Sequence, residues 1–318
     1  MSGIAEPLAA AADAAGYAPS IHNTQPWAWR VLPDRLALSA DRGRQLAATD
    51  PDGRLMLLSC GTALEHARLA LLAQGWAARV DYLPDPARPD LLAELVPGER
   101  VDVTPEAVRM VDAMPVRHTD RRPVSAALPA DADAAIVSAA HGLARLHRLT
   151  GDQVLELAAA AHRAAEIEAD DPLIRAELAY WTSRSAPEGT GLPPDVLPGR
   201  APETTVPARD FGVEGTLPIG PGHDKDAEYV LLYGDDDAPA SWLRAGMALA
   251  AVWLTAVQRG VSVVPLSGVV EVATTRTVLR GILSGVGYPY LVIRLGVGAP
   301  GETPRTPRLP VDQTVERG

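Results

Sequence analysis

Residues 18–27 read APSIHNTQPW. Pro19 and Pro26 fix φ and push the residue before each toward extended geometry. The polar residues between them, Ser20, His22, Asn23, Thr24 and Gln25, therefore sit on a stiff loop. An Ala-rich helical stretch, about Pro7 to Ala15, leads in, and an apolar strand, Trp27 to Leu32, leads out. A stiff loop between helix and strand is a good place to present hydrogen-bonding groups to a ligand. The same composition suits a plain turn capped by Ser and Asn, and the ten residues alone do not separate the two readings.

Outward from this loop, residues 4–16 pattern as an amphipathic helix. Pro33-Asp34 turns the chain, and Leu36, Leu38 and Ala40 alternate as the second strand of a hairpin. Asp50-Pro51 opens a long helix over about 53–73, with Asp50 as N-cap and Pro51 as first helical residue. Gly75 ends it, a strand spans Trp76 to Leu83, and a loop follows over 84–89. A short helix over 104–113 has Thr104 as cap and Pro105 in first position. Further helices are expected over 131–140, 152–168, 172–183, 240–259 and 275–283, with strands over 143–149, 229–233, 261–265 and 290–297. From Arg184 to about Gly222 the chain is crowded with Pro and Gly, without a period, and Trp181, Arg184, Arg209 and Phe211 stand among them. So long an aperiodic stretch in a compact chain is a functional loop or a disordered one. The tail is rich in Pro and Arg.

A repeat is visible. Gly61-Thr62-Ala63-Leu64 runs through a helix to Gly75 and a strand, and Gly246-Met247-Ala248-Leu249 runs at the same spacing to Gly260 and a strand. Glycine near the start of each helix allows close backbone packing, so the two could cross at a pseudo-two-fold axis. Chance likeness between Ala-rich helices is the competing reading.

The 318 residues suit two domains or two fused halves, and 47% apolar content supports a large core. A net charge of −11 argues against nucleic acid as a partner. Cys60 is the single cysteine, which excludes an internal disulfide and a thiolate zinc cluster and suits a reducing cytoplasm. Its apolar helical setting marks it as core rather than nucleophile. The N-terminal apolar stretch holds Glu6 and Asp13 and lacks a basic start, and the longest apolar run, Ala245 to Val257, is too short for a bilayer. We expect no membrane partner and a cytoplasmic location.

Three other segments carry candidate chemistry. RHTDR, Arg117 to Arg121, places basic side chains and Thr119 on a short segment expected to enter a helix, where arginine forks match phosphate oxygens. A solvated basic turn has the same residues. Val264-Pro265-Leu266-Ser267-Gly268 is a strand-ending turn, and Pro304-Arg305-Thr306-Pro307-Arg308-Leu309-Pro310 a Pro-rich basic tail. The histidines have no metal-ligand spacing, and no GxGxxG follows a strand.

APSIHNTQPW resembles the APSxxNxQPW loop of the FMN-dependent nitroreductase superfamily, and with RHTDR in mid-chain the pattern resembles the Acg-type subfamily, in which one chain holds two nitroreductase-like halves. The resemblance spans nearly the whole chain outside 184–222. It implies an α+β fold of two pseudo-symmetric halves, 1–114 and 115–318, each with a mostly antiparallel sheet flanked by helices. It implies FMN as cofactor, held by Pro19, Ser20, Ile21 and Asn23, by Arg117, His118, Thr119 and Arg121, by the Pro265, Leu266, Ser267, Gly268 turn, and by Arg305, Arg308 or both. Arg117 and Thr119 would bind phosphate. Arg121 would lie near N1 and O2 of the isoalloxazine, where a cation ~4 Å away contributes about 4 kcal/mol to the reduced anion at an effective dielectric of 20. Ser267 departs from the family, which often has Glu there, and so removes a carboxylate from the pocket. With each signature present once, and only Ala140-His141-Gly142-Leu143 where a second flavin loop would fall, the chain is expected to make one flavin site as a monomer. The implied activity is reduction of a small electron-poor acceptor, a nitroaromatic or quinone, by NAD(P)H. The alternative is a protein that sequesters FMN under a lid formed by 184–222.

Overall fold

The structure is a computed structural model that describes residues 3–184, 186–220, 223–299, 301 and 303–317. Ser185, Pro221 and Gly222 of the long Pro- and Gly-rich segment lie outside the described residues. The first set of elements is α1 (Ala5–Ala15), β1 (Trp27–Val31), β2 (Leu36–Ala40), α2 (Arg54–Ala73), β3 (Trp76–Tyr82) and β4 (Leu91–Arg100). Helix α3 (Pro105–Ala113) leads on to α4 (Ala130–Ala139) and β5 (Arg145–Arg148). Helices α5 (Gly151–Asp170) and α6 (Pro172–Thr182) and the Pro- and Gly-rich segment 186–220, called the covering segment below because it lies over the cavity, intervene before β6 (Glu228–Gly234) and α7 (Pro239–Gln258). Strand β7 (Val261–Leu266), helices α8 (Gly268–Glu271) and α9 (Ala273–Ile282), and β8 (Tyr288–Val297) follow.

The strands of the first sheet run β3-β4-β2-β1 and those of the second β7-β8-β6-β5, the same order built twice. Neighbours in both sheets are antiparallel, as in the β1–β2 hairpin, where Trp27 faces Ala40 and Val31 faces Leu36. The last strand, β9 (Val315–Arg317), crosses back and joins the first sheet parallel to β1, with Trp29 opposite Val315. The fold is α+β, with mostly antiparallel sheets flanked by helices.

Helices α2 and α7 are apolar on nearly every face because they pack on each other and between sheets. Both are long and apolar enough to cross a membrane, which the shorter uninterrupted run at 245–257 did not suggest, yet most of each is buried in the core. Glycine sets their closest approach. A Cβ on Gly61 would stand 2.1 Å from the Leu243 carbonyl oxygen, and one on Gly246 would stand 2.0 Å from that of Leu58. The two contacts mirror each other, as a local two-fold axis at the crossing requires.

Several local expectations shift. Helix α2 starts at Arg54, after Gly53 at φ 71°, rather than at Pro51. Asp50 still caps it from further back, accepting the Leu55 and Met56 N–H groups at 3.1 and 2.8 Å. RHTDR does not enter a helix, since α4 begins only at Ala130 after an irregular stretch. Trp181 belongs to α6, not to the covering segment. Strand β4 escaped sequence reading because Pro97 and Gly98 break its alternation, and its register with β3 shifts near there.

Candidate functional site

Helices α2, α5 and α7, the end of β7 and the covering segment enclose a cavity of about 190 Å³. The four segments singled out in the sequence meet in it. Pro19, Ser20, Ile21, His22 and Asn23 line it from the loop, and Arg117, His118, Thr119 and Arg121 from the basic segment. Pro265, Leu266, Ser267 and Gly268 come from the end of β7, and Arg308 from the tail. Arg305 is not among the lining residues and is exposed, so the tail contributes the second of its two candidate arginines.

The loop is strained and tied down. His22, Asn23 and Gln25 have φ of 45°, 56° and 51°, a region that costs a residue other than glycine on the order of 1–3 kcal/mol. Ser20 Oγ accepts the Gln25 N–H at 2.9 Å, Ser59 Oγ accepts the Ile21 N–H at 3.1 Å, and Thr62 Oγ1 donates to the Pro19 carbonyl at 2.6 Å. The two amide side chains are committed to other chain segments. Asn23 Nδ2 donates to the Gly191 and Pro307 carbonyls at 3.2 and 3.0 Å, and its Oδ1 accepts from Arg308 at 3.1 Å. Gln25 Nε2 donates to the Gly189 carbonyl at 2.7 Å, and its Oε1 accepts the Leu309 N–H at 3.0 Å. The loop thus clasps both the covering segment and the tail. No local pattern announces this, because the partners lie far along the chain.

Three arginines point into the cavity without a carboxylate partner among the described residues. Arg117 is buried, lies over the Trp253 ring at 4.5 Å, and reaches the Tyr17 carbonyl at 3.4 Å. Arg121 donates to the Val196 carbonyl at 2.9 Å and lies over Phe211 at 5.4 Å. Arg308 donates to Asn23 Oδ1 and Thr306 Oγ1. Burial lowers the pKa of all three: Arg121 and Arg308 fall to about 10, and Arg117 falls well below its ordinary value with Arg308 adding to the drop. The Nε atoms of Arg117 and Arg308 are buried without an acceptor. Cations without a carboxylate partner are costly where they are buried, so this corner is strongly electropositive. The neighbouring charges are spoken for: Asp120 forks with Arg122, and Arg294 pairs with Asp224 and donates to the Asp120 and Arg122 carbonyls. Asp120 therefore props the basic segment from behind.

The covering segment adds a second cluster. Arg209 makes two 2.8 Å bonds to Glu271 and lies 3.2 Å from Glu168. Phe211 packs edge-on to His22 at a centroid distance of 6.1 Å and against Leu192, Val196 and Leu197. Burial, reinforced by Arg209 and Arg121, holds the His22 pKa well below its usual value, so its ring is neutral. Glu168 and Glu271 were not legible as site residues, since they stand on α5 and α8 without a motif. Cys60 is buried, and burial pushes its thiol pKa up, as befits a core residue.

Two sheet-and-helix sets of one topology, sharing a cationic covered cavity, define an α+β protein with a cavity suited to an anionic ligand. The sequence is 37% identical over 309 residues to Rv3131 of Mycobacterium tuberculosis, named as a candidate NAD(P)H nitroreductase, covering 94% of this chain and 88% of that protein. It is 34% identical to Acg of the same organism, named likewise, covering 93% and 91%. A nitroreductase with bound FMN from Bacteroides fragilis superposes with a TM-score of 0.39 at 15% identity, covering 63% of this chain and 94% of that one. No family model matches the chain. The chain belongs to the nitroreductase family that includes Rv3131 and Acg.

Proposed function

We propose that this chain binds FMN between two nitroreductase-like halves and reduces a small electron-poor acceptor, a nitroaromatic or quinone, with NAD(P)H as donor. The observation that carries the reading is the convergence of a buried Arg117 and half-buried Arg121 and Arg308, without carboxylates among the described residues, beside apolar walls from Leu55, Leu58, Leu249 and Trp253. A phosphate satisfies the cations and a planar ring satisfies the walls, so the residues present fit the cofactor. Arg117, Thr119 and Arg308 would hold the phosphate end, and Arg121 and the Pro265–Gly268 turn would flank the ring. Bound FMN would supply two-electron hydride chemistry, while the protein orients and tunes it.

A second reading, that the protein sequesters FMN, is favoured by the cover. The cavity is smaller than the roughly 300–1,000 Å³ typical of small-molecule sites, and Phe211 and Val196 of the covering segment line it. A flavin then enters only as the 186–220 segment moves. The test is the visible spectrum of the purified protein followed by anaerobic NAD(P)H. Bleaching of a yellow band supports the reductase, a band bleached only by dithionite supports sequestration, and a colourless protein that stays colourless with added FMN overturns both.

A further inference from the structure

The cavity holds a carboxyl group that neither the motifs nor the family resemblance assigns. Glu168 projects from α5 to the turn after β7. A Cβ on Gly268 would stand 3.1 Å from Glu168 Oε1. The side chain is 7% exposed and lines the cavity, and its buried Oε1 stands 3.2 Å from Arg209 without a well-aligned hydrogen bond to it. Glu271, one turn beyond Ser267 on α8, faces it across Arg209. Ser267 stands where a carboxylate was expected from the family, and Glu168 brings one to the same turn from another helix.

Two buried carboxylates share one guanidinium. With both ionised, the trio carries a net negative charge that burial opposes; one proton makes it neutral. Burial accordingly raises the Glu168 pKa to about 7, with Glu271 adding to the rise and Arg209 opposing it. The other charged groups facing the trio are Glu177 beside Arg209, Asp50 toward Glu271, and, across Arg209, His22 with Arg121 behind it. His22 is held neutral and the arginines do not release protons in this range. His118 is half-exposed at the far side, with its Nδ1 3.0 Å from the Val116 carbonyl.

We propose that Glu168 is the proton donor to the acceptor, with Glu271 and Arg209 as the positioning residues that keep it loaded. The proposal rests on the oxidoreductase reading above. Reduction of a quinone takes two electrons and two protons. A hydride brings both electrons and one proton; the second proton comes from Glu168, whose O–H bond breaks as an O–H bond forms on the quinone oxygen. The carboxylate left behind is reprotonated from solvent. In a covered cavity this supply cannot be left to bulk water, and a pKa near the working pH is what an acid catalyst requires.

The test pairs Glu168→Gln with Glu271→Gln in two measurements. In rapid-mixing reoxidation of the reduced holoprotein by a soluble quinone, the wild-type rate should fall about tenfold per pH unit above about 7, and Glu168→Gln should be slow and flat. Glu271→Gln leaves Glu168 alone with Arg209, so the falling limb should move to lower pH. Independently of any cofactor, infrared difference spectra of the protein between pH 6 and 8 should show a protonated-carboxyl band that Glu168→Gln abolishes and Glu271→Gln shifts to lower pH. A limb that persists in Glu168→Gln and disappears in His118→Gln overturns the proposal, as does a carboxyl band unchanged in both glutamate variants. If the protein binds no flavin yet shows the band, the function has failed while the shared proton stands.

Discussion

Two cavities among the described residues lie against the crossed helices, and their electrostatics differ. The first is the covered site, with three unpaired arginines. The second, about 700 Å³ and more open, is lined by Glu65, Arg68, Tyr82, Glu106, His141, Gly142, Met247 and Thr255 among others. The mirrored contacts that match Gly61 with Gly246 and Leu58 with Leu243 also match Trp253 with Arg68 and Thr62 with Met247. Where Trp253 supports the unpaired Arg117, its counterpart Arg68 clamps the buried Glu65 with bonds of 2.7 and 2.6 Å. Where the proline-stiffened loop reaches the first cavity, the bare turn around His141 and Gly142 reaches the second. One architecture made twice thus yields two differently charged cavities: of the arginines lining the second, Arg68 is paired with a buried carboxylate and Arg259 is exposed.

The comparison breaks most directly at the crossing. Gly246→Ala would put a methyl group 2.0 Å from the Leu58 carbonyl oxygen and within 2.8 Å of Gly61 Cα. Backbone atoms cannot swing aside as a side chain would, so the helices must separate. We expect a loss of about 3 kcal/mol or more, the upper end for overpacking, read as a large drop in the thermal midpoint. A neutral outcome would mean that the helices are not held at the glycines, and the matching of the two cavities would lose its anchor.

Next in size is the anion site itself. A charge-assisted hydrogen bond contributes about 1.5–3 kcal/mol, so Arg117→Met should weaken FMN binding by roughly 10- to 150-fold in fluorescence titration. The double variant Glu65→Gln/Arg68→Met removes the clamped arginine of the second cavity together with its partner and leaves neither charge behind. It should leave FMN affinity within about twofold and the stoichiometry at one per chain. Equal losses in the two variants would show that the two cavities are not divided by charge pairing.

How much of this was legible depends on the range over which the residues act. The stiff loop, the basic segment, the turn after β7 and the twin glycines are local patterns, and each also suits a plainer role, such as a turn, a surface patch or chance likeness. What the residues could not show is which segments meet. The Asn23 and Gln25 amides are bonded to Gly189, Gly191, Pro307 and Leu309, partners that lie far along the chain. The Glu168–Arg209–Glu271 trio joins α5, the cover and α8, so no spacing rule finds it. Strand β9 has three residues and gains its meaning only from β1 beside it.

A subtler asymmetry lies on α2. His66 is fully buried, while the residue matched to it on α7 is Ala251, which lines the second cavity. Burial, with Arg117 and Arg308 adding, lowers the His66 pKa to about 3. The unfolded chain therefore binds a proton that the folded chain refuses. Stability from this group is complete above about pH 6.5 and falls as the pH drops from there toward 3, by up to about 1.4 kcal/mol per unit. Glu168 and Asp50, whose carboxyl pKa values burial raises to about 7 and about 6, act with the opposite sign, losing stability as the pH rises. The wild-type profile mixes these, but the difference between wild type and His66→Gln isolates the histidine. Chemical denaturation at pH 7 and pH 5.5 should show the variant losing about 1.3 kcal/mol less than wild type over that interval. An equal loss would show that His66 is protonated in the fold.

The smallest effect calibrates the largest. Gly281 sits in α9 with helical backbone and nothing within 4 Å of where a Cβ would be. Its substitution by alanine restricts the unfolded chain and meets no obstacle, so Gly281→Ala should stabilise by about 0.4–1 kcal/mol. The same chemical change at Gly246 should have the opposite sign and several times the size. Because both glycines are helical, intrinsic helix propensity favours alanine at each, and only the packing differs. Urea unfolding of the two variants therefore separates the contact at the crossing from the general effect of replacing a helical glycine. If Gly281→Ala were also destabilising, part of the Gly246→Ala loss would belong to alanine itself and the close approach of α2 and α7 would account for less of it.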